Sequence, residues 1–163
     1  MEILEELKRE ILVMTFAMLP IVELRGAIPL GISLGLSPIH STVISIIGNA
    51  LIVPFLLILI YPIMDYFEKT VLFSKTIGWV KNRSIKKADT IKKYRLLSLF
   101  LFVAIPIPTT GAWTASIVAS LLKIDLRHSI LTIWAGIITA GLVVYTISYK
   151  LTSIFSILSF QLT

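Results

Sequence analysis

The sequence predicts an all-α integral membrane protein arranged as an inverted repeat, each half a re-entrant helical hairpin followed by one transmembrane helix. Three observations carry that expectation. The composition is that of a membrane protein, with 56% hydrophobic residues, 15% charged residues and a mean hydropathy of +0.94. The apolar stretches come in two lengths, and only one of them is long enough to cross a bilayer. Short and long stretches then recur in the same order in both halves of the chain.

Taken from the start, MEILEELKRE is mixed in charge and acidic on balance, unlike the basic leader of a secretory signal peptide, and no targeting segment is expected. Residues 11–22 and 27–39 are apolar but short, since a helix rising about 1.5 Å per residue needs roughly 20 residues to span hydrocarbon. ELRG separates them, and Pro20, Gly26, Pro29 and Gly31 punctuate the pair, which predicts a hairpin that enters and leaves on one side. Residues 42–64, TVISIIGNALIVPFLLILIYPIM, are uncharged and long enough for a transmembrane helix.

Residues 65–95 hold nine of the fifteen Lys and Arg, interleaved with Tyr66, Phe67, Phe73, Trp79 and Tyr94. This reads as a helical, amphipathic connection lying on anionic headgroups, placed in the cytoplasm by the positive-inside tendency, and not as a nucleic-acid site. The second short pair, residues 96–108 and 112–124, is split by TTG with Pro106, Pro108 and Gly111 beside it. Residues 130–148, ILTIWAGIITAGLVVYTIS, form the second crossing. The chain is thus read as one membrane domain, 1–163, with a first repeat at 1–64, the basic connection at 65–95, a second repeat at 96–148 and an apolar segment at 149–163. That last segment lies on the membrane or packs in a homodimer.

GAIPLGISLGLSPI from Gly26 can be laid on GAWTASIVASLLKI from Gly111. Each half crosses once, so the second is inverted relative to the first, an architecture expected of secondary transporters. The two tips would then meet near the midplane, where non-helical backbone persists only inside protein or along a water-filled cavity. They are the candidate site.

Glu23 and Arg25 sit in the first break. Two central charges facing lipid cost about 5 to 7 kcal/mol, against on the order of 4 to 8 kcal/mol gained by the thirteen Leu, Ile, Val and Phe residues of the first two short stretches. Lipid exposure of the pair is therefore disfavoured. Either they pair in a protected cavity or Glu23 takes up a proton there. The alternative is a break at the membrane surface, with both charges in water.

The second tip offers Thr109, Thr110, Trp113 and Thr114, whose hydroxyls and indole can bind a polar group or serve as turn caps and packing. Helix starts at Gly26 and Gly111 would add partial positive charge, and Pro29 and Pro108 shape the turns. Asn49, an amide at spanning depth, is a binding or an interhelical residue. The chain has no cysteine, its histidines His40 and His128 make no metal pair, and no nucleophile–base grouping or phosphate loop is present. Neither an enzyme, nor a metal, nor a cofactor is expected.

ELRGAIPLG followed, after a crossing and a basic loop, by IPIPTTGAW resembles the small multidrug export protein family, which is grouped with the DedA superfamily. The resemblance covers residues 16–148, with Thr109 standing where the family pattern PLPGTGAW has glycine. It implies two opposed re-entrant hairpins and transport of amphipathic substrates such as polyprenyl phosphate lipids, with acidic and arginine residues at the tips. No second-hairpin arginine precedes Arg127, so a two-arginine anion clamp is not expected. The expected function is a small, proton-coupled secondary transporter in the cell membrane. Glu23 would carry the proton and Arg25 would hold an anionic headgroup or tune Glu23, with a lipid phosphate or hydrophobic drug as substrate. An uncoupled lipid scramblase or pore, and a scaffold recruiting partners through residues 65–95, are the alternatives.

Overall fold

The computed structural model describes residues 2–68, 88–107 and 110–161. Among them every regular element is helical: α1 Glu2–Met18, α2 Glu23–Ser33, α3 Pro38–Glu68, α4 Ala88–Ala104, α5 Ala112–Leu121 and α6 Leu126–Gln161. Two helices among the described residues are long and apolar enough to cross a membrane, Pro38–Ile63 within α3 and Leu126–Lys150 within α6. Most of the basic connection, and the Pro108 and Thr109 assignments, lie outside the described residues.

The first break falls earlier than ELRG. α1 ends at Met18, and α2 already begins at Glu23, so Glu23, Arg25 and Gly26 belong to a helix. The reason is Pro20, which disfavours the helical region at Leu19 and ends the helix there. The turn that follows is closed by the Glu23 N–H donating to Leu19 O at 3.0 Å. In the second hairpin α4 stops at Ala104, just before IPIP, where successive prolines remove helical donors.

Several local features recur in the two halves. Gly35 after α2 and Lys123 after α5 both take left-handed φ, 90° and 51°. The N–H groups of Leu36 and Ile124 then return to Gly31 O and Ala119 O, closing the same C-terminal cap with a buried apolar residue behind it. Arg9 on α1 donates to Leu34 O at 2.9 Å, and Arg95 on α4 donates to Leu122 O at 3.2 Å. Gly48 brings α3 onto the backbone of α1, where a Cβ would stand 2.6 Å from Met14 O. Gly136 does the same for α6 on α4, with Val103 Cβ at 2.6 Å. This correspondence pairs Gly35 with Lys123, Ser41 with Ser129 and Gly48 with Gly136. The same offset sets Glu23 opposite Gly111, whereas the sequence reading laid Gly26 there.

The principal core joins α2 through α6, with Ile28, Val53, Leu57, Ile133 and Ile137 fully buried. Pro54 inside α3 cannot donate to Ala50 O. Trp134 of α6 replaces the missing bond, its indole N–H lying 3.0 Å from that carbonyl. Trp134→Phe is expected to cost about 1 kcal/mol in a reversible denaturant titration in micelles. The same change in a Pro54→Ala background should cost little, because the restored N–H satisfies Ala50.

Candidate functional site

Glu23 is the first residue of α2, 7% exposed, and held at φ 49°, a conformation unusual for any residue with a Cβ. Strain of this kind persists where surrounding structure over-determines it. Its carboxylate lies at the N-terminus of α5, where the N–H groups of Trp113, at 3.4 Å, and Ala112 face it. Those are orphan donors at the positive end of a helix, so an anion is favoured there. The approach depends on Gly111, the residue preceding α5, because a Cβ there would occupy the position of the Glu23 carboxylate. Thr114 Oγ1 accepts from the Gly111 N–H at 3.0 Å and fixes the turn.

Arg25 reaches in the opposite sense. Its guanidinium donates to Ile107 O, to Val103 O at 3.4 Å, to Ile105 O at 3.3 Å and to Thr110 Oγ1 at 3.3 Å. Those carbonyls belong to the end of α4 and the break after it, the negative end of a helix. One hairpin therefore supplies an acid to the start of α5 and a base to the end of α4. The second hairpin answers with Trp113, whose indole donates to Met18 O at the end of α1, 3.0 Å away. Each hairpin thus caps a broken helix end of the other.

The breaks border a partly open cavity of about 660 Å³ lined by Pro20, Ile21, Val22, Glu23, Arg25, Gly26, Pro106 and Thr114, within the range of small-molecule sites. Among the described residues that line it, Glu23 is the one acidic group. Arg25 Nε is buried without a partner, but both terminal nitrogens are engaged by the second hairpin. An anion-holding role for Arg25 thus finds no free fork.

Of the residues expected from sequence, Glu23, Arg25, Thr110, Gly111, Trp113 and Thr114 come together. Gly26 lines the cavity but lies inside α2 and starts no helix, because the helix begins upstream at Glu23. Pro29 is exposed one turn further along and is absent from the cavity wall. Asn49 is buried on α3, 1% exposed with Oδ1 unpartnered, and does not line the cavity either. Sequence reasoning missed the carbonyls of Met18, Val103, Ile105 and Ile107, which act through backbone. The only available signal for them was the proline that follows each helix end.

The chain matches, over residues 23–143, the family described as "Putative small multi-drug export protein". No curated protein and no solved structure matches it. The match begins at Glu23 and contains the charged pair, the second break, all of α3 and the first part of α6, so the chain belongs to that small multi-drug export protein family.

Proposed function

We propose that the protein is a small proton-coupled secondary transporter that exports amphipathic substrates through the cavity between two opposed re-entrant hairpins, arranged as the inverted repeat of a DedA-like protein. The observation that carries the reading is a carboxylate, Glu23, that both lines the cavity and caps a helix of the opposite hairpin. A proton on Glu23 removes the anion from the start of α5 and so weakens one cap, by about 0.3 to 2 kcal/mol for such charge–dipole contacts. Arg25 keeps hold of α4, which leaves a hinge about which the hairpins rock. A cationic headgroup competes for the same carboxylate, so proton and substrate exchange at one group.

This favours a lipophilic cation over a phosphate lipid, because Arg25 already spends its fork on four acceptors and Glu23 repels an anion. The positive-inside tendency supports a cytoplasmic position for the basic connection, residues 65–95. The test is flux in proteoliposomes under an imposed proton gradient, comparing a lipophilic cation with a polyprenyl phosphate. Gradient-driven cation flux that disappears in Glu23→Gln is expected. Flux that ignores both gradient and substitution would replace this reading with the scramblase, and absent flux with the scaffold.

A further inference from the structure

We propose that Glu6, Glu10 and His40 form a divalent transition-metal site that ties α1 to α3 at the base of the first hairpin. Sequence spacing gave no hint of it, because the imidazole comes from a different helix. Glu6 and Glu10 lie one turn apart on α1 and so share a face, and His40 sits in the first turn of α3. One ligand atom from each of the three lies within 4.8 Å of the others, and His40 Nε2 is already 2.8 Å from Glu10 Oε1.

The local charges favour a cation. Lys8 and Arg9, the basic residues on the same stretch of α1, are turned elsewhere, Lys8 to Glu5 at 2.9 Å and Arg9 to Leu34 O at 2.9 Å. Two carboxylates therefore converge on one imidazole without either lysine or arginine between them. Metal–ligand bonds of about 2.0 to 2.2 Å put ligand atoms roughly 3.3 Å apart around one ion. The exposed Glu6 side chain closes that gap by a change of rotamer. A mixed imidazole and carboxylate set suits zinc or manganese, whereas magnesium and calcium prefer oxygen alone. The three residues lie on the polar part of α1 and at the very start of the long apolar helix, where ions can reach them. Bound there, the ion adds to the Glu10–His40 contact and the apolar packing that already hold α1 against α3.

The experiment is isothermal titration of zinc chloride into tag-free, chelator-stripped full-length protein in micelles, with thermal unfolding in parallel. One ion per chain is expected, with raised thermal stability, and about tenfold or greater weakening in Glu6→Gln and in His40→Gln. Because Glu6 is exposed, its amide variant keeps the fold and isolates the ligand effect. Binding that survives both substitutions, or no binding and no thermal shift in the wild type, overturns the site. Transport by Glu23 is untouched by either outcome.

Discussion

Replacing Arg25 by alanine is expected to lower stability by roughly 3 kcal/mol and to abolish transport. Hydrogen bonds to charged groups contribute about 1.5 to 3 kcal/mol each, and acceptors stripped of their donor bear a desolvation penalty. Arg25 serves three backbone carbonyls and the Thr110 hydroxyl at a helix end that lacks its own partners. The estimate stays below the sum of those bonds because Arg25 is only partly buried and Thr110 also donates to two of the same carbonyls. Lysine should rescue less than half of the loss, since an ammonium on a flexible stem has no planar fork to bridge several acceptors. Denaturant titration in micelles measures the first quantity and proteoliposome flux the second. A variant that keeps full stability yet loses flux of a phosphate lipid alone would instead make Arg25 a substrate ligand.

The second large effect is expected at Gly111. A methyl group there occupies the place of the Glu23 carboxylate, so Gly111→Ala must drive Glu23 off the start of α5. Overpacking of this kind costs about 1 to 3 kcal/mol, and Ala112 and Trp113 lose their anionic partner as well. Transport should fall to the level of Glu23→Gln although the carboxyl group is still present. The cycle of Gly111→Ala with Glu23→Ala is diagnostic: the two changes act on one contact, so the double variant should cost clearly less than the sum of the singles. Additive costs would show that Gly111 serves the turn alone. The backbone there is fully extended, φ −165°, so the penalty arises from space and not from glycine's conformational freedom.

Much of the architecture is set by composition and length. Two stretches are long enough to cross a membrane and both became long helices, α3 and α6. The short stretches became paired helices around two proline-flanked breaks, because missing donors and the restriction before proline act locally. The withdrawal of Glu23 and Arg25 from the surface was likewise readable, since two charges inside an apolar segment are too costly to face lipid.

Their partners were not. The sequence left open whether Glu23 and Arg25 pair, whether Glu23 takes up a proton or whether both face water; each caps a distant helix end, Glu23 at α5, 90 residues on, and Arg25 at α4, 78 residues on. No side-chain pattern announces such a partner, because the receiving groups are backbone donors and acceptors that every residue carries. The likeness of two glycines shows the same limit. Gly26 and Gly111 look alike in sequence, yet Gly111 makes room for a carboxylate and Gly26 lies within a helix. Length, hydropathy and proline placement determine the elements because they act within a few residues. Which helix end meets which charge depends on how two hairpins pack, and only the folded chain decides it.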